Sequence, residues 1–237
     1  MKKLMLIALA LALLAGLAAC AKAEPPAEET TLRVKIIEVY DRSLLVAEEG
    51  GDLYTVGTEN AEITTSVLLK PGMTVEISYG GDVAESYPMQ LTGATRISSV
   101  ADGGDLVGLY LQIAEDLWRD AEGGLTFDID TVAFNLSEAQ NLSRGEKNAL
   151  LYLASGKFGY ETVEGTIDEL REQGYIEDMW FPHGVLFNFY NMTFEGDSFA
   201  FAAQIWRSGE GAIIYGECKA SLTNGIWSYE PGGWAIS

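Results

Sequence analysis

Histidine is almost missing from this chain: His183 stands alone in 237 residues, and cysteine occurs only at Cys20 and Cys218. A metal centre built on imidazole or thiolate needs several such ligands at close spacing. No HExxH, CxxC, phosphate-binding GxxxxGK[ST] or GxSxG stretch is present either, so the sequence offers no metal, no cofactor and no catalytic residue. A serine triad would have to recruit His183 in "WFPHGVL", where the flanking Pro and Gly read as a turn. Positive charge is equally scarce, with 15 Lys and Arg against 35 Asp and Glu and a net charge of -20. Such a surface repels phosphate backbones and anionic headgroups, which excludes nucleic acid as a partner and leaves cationic or polar ones open. The one long apolar run, Leu4–Ala18, reaches roughly 22 Å as a helix, short of the ~30 Å hydrocarbon core of a bilayer. Yet 48% of the residues are apolar and 11% aromatic, ample for packed cores rather than disorder.

The apolar run follows Lys2 and Lys3, and residues 1–19 read as a signal peptide. Its end, Leu17-Ala18-Ala19-Cys20, resembles the bacterial lipobox. That resemblance implies cleavage before Cys20 and acylation of its thiol and its new amino group. Two or three acyl chains suffice for stable anchoring, which would hold the protein on the cell membrane, facing outside the cytoplasm. The alternative is an ordinary secreted protein with an incidental cysteine. With Cys20 as a thioether, Cys218 has no partner in the chain; in "AIIYGECKAS" it reads as a small buried hydrophobe. Residues 20–30, with "AKAEPPAEET", form a polar, proline-bearing tether that extends to about 33 Å.

Residues 31–100 read as strands and turns. In "LRVKIIEVYD" the apolar phase switches between Ile36 and Ile37, which suggests a bulge or a strand buried on both sides. "SLLVAEEGGDLYTV" is a hairpin, and "KPGMTVEISYGG" alternates at period two after a Pro-Gly turn. Several short strands with little helix argue for a small OB-like β-barrel. The stretch "KPGMTVEISYGGDVAESYPMQL", with Ala84-Glu85-Ser86-Tyr87-Pro88, resembles a domain family of Gram-positive surface lipoproteins. The resemblance implies an OB-like barrel and carries no reaction.

A linker at 101–105 leads to a second domain over 106–237. Asp105 caps a helix with Leu106, Leu109, Tyr110, Ile113 and Leu117 on one face; Ser143 with Glu146, and Thr166 with Glu169, form capping boxes for two more. Strands punctuated by Glu-Gly-Asp, Ser-Gly-Glu-Gly and Asn-Gly turns follow from Val185. The whole is therefore expected to be α+β, a small barrel followed by an α+β domain with an antiparallel sheet. "LYLQIAEDLW" and "AAQIWRSGEGAIIYGECKA" look like a C-terminal region of similar bacterial lipoproteins, again without an assigned reaction.

Two motifs compete for function. "FDIDTV" places Asp128 and Asp130 in the DxDx(T/V) spacing of aspartyl phosphotransfer enzymes, but that chemistry needs βαβ alternation, which the surrounding pattern does not supply. It also fails as an EF-hand, lacking the glycine and glutamate of that loop. A hydrolase using paired carboxylates is the alternative function. The crowding of aromatics after residue 179 favours a non-catalytic binding or envelope-accessory module whose partner is an envelope protein, peptide or small ligand. Alternation buries Phe187 and Phe189 beneath the 106–118 helix and turns Tyr190 the other way; with Trp206 before a glycine-rich turn and Trp180 in the connection "IEDMWFPHG", these three are the partly exposed candidate ligand-binding rings, flanked by Glu177 and Asp178.

Overall fold

The computed structural model describes residues 29–237; the expected signal peptide, Cys20 and most of the expected tether lie outside the described residues. Two sheets make up an α+β protein, the first of them a curled half-barrel. Its strands are β1 (Thr30–Val39), β2 (Ser43–Ala47), β3 (Leu53–Gly57), β4 (Glu62–Thr64), β5 (Met73–Tyr79), β6 (Val83–Ala84), β7 (Met89–Leu91) and β8 (Ala94–Asp102), in the order β4-β8-β5-β1-β2-β3-β7-β6. Strand β5 pairs with β1 and β8 and sends Met73, Val75 and Ile77 into a core shared with Val34, Ile36, Leu44, Val46, Val56 and Ile97. The phase switch in β1 is a register irregularity between Ile36 and Glu38. Ile36 points into the half-barrel core, whereas Ile37 is buried on the other side, against the helices. One extra residue in the ladder lets a single strand feed two cores.

The second sheet contains β9 (Thr131–Asn135), β10 (Glu161–Glu164), β11 (Gly184–Glu195), β12 (Ser198–Ser208), β13 (Gly211–Thr223), β14 (Ile226–Glu230) and β15 (Gly233–Ile236). From β11 to β14 it is the expected antiparallel meander. At the other edge the expectation fails: β9 runs parallel to both β10 and β11, so the sheet is mixed. Parallel neighbours need a crossover, and α2 (Arg144–Phe158) between β9 and β10 supplies it. The expectation that this stretch lacks βαβ alternation is corrected here: β10, at 4 residues, is too short to show in the sequence pattern.

Helix α1 (Leu106–Ala121), α2 and the short α3 (Ile167–Glu172) start where the caps place them. Asp105 accepts from the Gly108 amide at 2.8 Å, and both capping boxes close. Helix α1 buries Leu109, Tyr110, Ile113 and Leu117 against one sheet face. There Phe189 meets Tyr110 with ring centres 4.9 Å apart, while Phe187 packs on Phe134 and on Phe158 of α2. The opposite face carries a separate core of Ala133, Leu170, Ile176, Phe181, Leu186, Trp206 and Ala212, roofed by α3 and the segment after it.

Strand β8 reaches Asp102 and α1 begins at Leu106, so only three residues connect sheet and helix. Ile37, Leu45, Ala47 and Leu53 of the half-barrel belong to the same apolar cluster as α1. Gly145 lies so close to the Glu48 carbonyl that a Cβ there would stand 1.9 Å from its oxygen. Across this seam Lys35 donates to Glu146 at 2.7 Å, and Asn148 Nδ2 donates to the Gly51 carbonyl at 2.8 Å.

Lys35 is the cation amid carboxylates here. Burial raises the Asp105 pKa, Glu146 and Glu38 add to the rise, and Lys35 offsets part of it. Lys35→Met should cost about 2–3 kcal/mol, less than the ~3–5 kcal/mol of a fully buried pair, because 27% of the lysine side chain is exposed. A raised carboxylate pKa in the folded state means stability is lost as pH rises through that value and regained below it. Removing Lys35 enlarges this effect, so the variant should recover part of its deficit in mildly acidic buffer. Urea unfolding of both proteins at neutral and mildly acidic pH reads the difference.

Candidate functional site

The three candidate rings do not converge. Trp206 is 5% exposed and sits inside the second core, opposite Leu186 on β11 and Ala212 on β13. The expectation that it borders a groove is corrected: the segment from Tyr175 to Phe181 folds over it. Tyr190 lies on the same sheet face, half-buried and paired with Ala202, four residues along β12 from Trp206, which separates them by roughly 13 Å. Burial raises the Tyr190 phenol pKa. Trp180 is 41% exposed and bridges to Ser208 at the end of β12.

What holds Trp180 is Arg207, which the sequence reading passed over. Its guanidinium is buried and donates to three backbone carbonyls: Leu125 at 2.7 Å, Phe127 at 2.5 Å and Pro182 at 2.9 Å. It lies 4.3 Å from the Phe127 ring centre and 5.0 Å from that of Trp180, within cation–π range. Burial lowers its pKa, and the Asp128 charge acts the other way. This arginine ties two loops to the end of β12, a structural clamp that spends three of its Nη hydrogens on the backbone.

Beside the clamp lies a hollow of about 440 Å³ that gathers Asp130, Glu161, Glu177 and His183. Thus the histidine and one aspartate of the FDID stretch do meet, at the starts of β9, β10 and β11. That position decides against phosphotransfer, since α/β sites form at the carboxyl ends of parallel strands. Asp128 itself turns away through a left-handed backbone, φ 52°, and borders Arg207. Among the described residues Glu146 is the one buried carboxylate. Its oxygens accept from Lys35 and from the Ser143 amide, so it is committed to the seam. Among the described residues no group of three His, Cys, Asp or Glu side chains could hold a metal ion.

The larger concave surface is on the half-barrel. A groove of about 610 Å³ runs between the β1–β2 turn and β4, lined by Val39, Tyr40, Leu44, Ile63, Val67 and Leu68. Apart from the buried Leu44, its apolar side chains face solvent: Val39 is 43% exposed, Ile63 47%, Val67 55% and Leu68 90%. Through Tyr40 it continues into a cleft of about 740 Å³ between half-barrel and helices, lined by Leu111, Tyr152, Leu153, Glu38 and Glu115. Tyr40 donates to Glu38, and burial together with that bond raises the phenol pKa. Tyr87, 67% exposed, stands edge-on to Tyr152 at 5.9 Å. Sequence reasoning missed this surface; its only signal is "SVLLKPG", an apolar run too short for an element and too apolar for a loop.

No protein-family model, curated protein or solved structure matches this chain.

Proposed function

We propose that this protein is a lipid-anchored extracytoplasmic lipoprotein whose folded part is a non-catalytic binding module for an envelope protein or peptide. The observation that carries the reading is the exposed groove of Val39, Tyr40, Ile63, Val67 and Leu68. An uncovered apolar surface of that kind in an otherwise strongly acidic protein marks an interaction site. Its place suits an anchored protein. Strand β1 begins at Thr30, where the tether would enter, and the groove opens at Val39 at its other end, roughly 30 Å along the strand.

We read the half-barrel as OB-like. Strands β3 and β4 follow one another, and the circuit β1-β2-β3, then β4-β8-β5-β1, has β4 parallel to β8 and the other pairs antiparallel. A five-stranded OB barrel with a broken third strand has this pairing. The resemblance of "KPGMTVEISYGGDVAESYPMQL" to a lipoprotein domain agrees with it.

The anchor is tested by Cys20→Ser, which should abolish lipid labelling and leave unprocessed precursor; a labelled Cys20→Ser protein would refute the anchor. The binding role is tested by crosslinking on intact cells. The wild type should capture an envelope partner that Leu68→Asp and Tyr40→Ala do not. Equal capture by all three would remove the groove from consideration.

A further inference from the structure

Strand β4 ends the half-barrel sheet: it pairs with β8 on one side and, among the described residues, has no strand on the other. Its free edge borders the groove, because Ile63 within it and Thr65 just after it are lining residues. All three residues of β4 are exposed. An unpaired edge leaves backbone N–H and C=O groups without partners and serves as a template for another strand. Here the template stands beside a ready apolar floor, made by Val39, Leu44, Val67 and Leu68.

Acids outnumber cations around this edge. Asp41 lines the groove and Glu38 and Glu115 line its cleft, while Glu59 and Glu62 stand next in sequence to the lining residues Thr58 and Ile63. Three of these acids are paired with cations, Glu59 with Arg42 at 2.9 Å, Glu62 with Arg96 at 3.4 Å and Glu115 with Lys157 at 2.9 Å, so Glu38 and Asp41 carry the acidic excess. A second copy of this chain, at net -20, would meet like charge. A basic strand would meet opposite charge.

We infer that the groove takes an extended polypeptide segment that adds as a strand to the free edge of β4, with alternate apolar side chains on the floor and lysine or arginine between them facing the acidic rim. Backbone pairing supplies affinity in such docking, and the pockets for alternate side chains supply selectivity. This rests on the reading of the protein as a binding module and names the partner's chemistry. The acids of the rim make the association weaken with added salt.

The test uses the full chain in phosphatidylcholine nanodiscs and the peptide acetyl-KVKVKVK-amide, followed by calorimetry and backbone amide shifts. The peptide should bind and move the amides of residues 38–44 and 62–69. Leu68→Asp and Ile63→Asp, both at exposed positions, should keep the melting temperature and weaken binding at least tenfold. The acidic peptide acetyl-EVEVEVE-amide should not bind. Methylating alternate peptide nitrogens in one frame should abolish binding, and in the other frame should be tolerated, because a strand presents every second N–H to its neighbour. Equal effects of the two frames, binding of the acidic peptide, or unchanged affinity in Leu68→Asp would each overturn the inference. So would self-association that Leu68→Asp abolishes, which would give the groove to a second copy. Absence of any peptide binding overturns the β4 docking alone; the binding-module reading stands or falls separately on the capture of an envelope partner.

Discussion

Trp206→Ala should lower unfolding stability by about 3–5 kcal/mol, whereas Trp180→Ala should cost about 1 kcal/mol. The two tryptophans lie at the same end of β12, yet their surroundings differ. Trp206 is 5% exposed and fills a core with Leu170, Ile176, Phe181 and Leu186, two layers of backbone having closed around it. Truncation would leave a void walled by a sheet on one side and by α3 on the other, neither of which can collapse far. Trp180 is 41% exposed and loses mainly its contact with the Arg207 guanidinium. Urea denaturation followed by circular dichroism distinguishes them. A Trp206→Ala protein within about 1 kcal/mol of wild type would mean that the second core does not exist as described.

Arg207→Met should cost about 3 kcal/mol or more. The alkyl part of the side chain is kept, but the part-buried carbonyls of Leu125, Phe127 and Pro182 lose their donors, each loss costing roughly 1 kcal/mol, the low end for an unsatisfied acceptor. Arg207→Lys should recover only part of the loss, because one ammonium cannot serve three carbonyls spread across two loops. The effect should be local as well as global. Amide exchange should accelerate at residues 125–131 and 177–183 before the rest of the sheet responds. If Arg207→Lys is as stable as wild type, the forked geometry is not what holds the loops.

The caps of all three helices were readable in advance because each is a local bargain: a Ser, Thr or Asp oxygen satisfies an amide within three residues, whatever the remainder of the chain does. The alternation of Met73, Val75 and Ile77 was readable for a similar reason, since one face of β5 is buried throughout. The same logic misplaced Trp206. The glycine-rich turn after it suggests little cover, but a turn cannot say that the segment from Tyr175 to Phe181 returns to roof the ring. Nor could the sequence give Arg207 its role, because its acceptors lie 80 to 82 residues upstream and 25 upstream.

By itself the sequence determined the acidic surface, the helix starts, the hairpins and the α+β class, all of which depend on composition or on neighbours a few residues apart. Only the tertiary structure decided which strands run parallel, which apolar residues remain uncovered and which cation is clamped. Those depend on contacts between distant segments, such as β4 beside the β1–β2 turn and Lys35 against Glu146. Their closure is settled by the joint packing of two sheets, and no short window of residues contains that information.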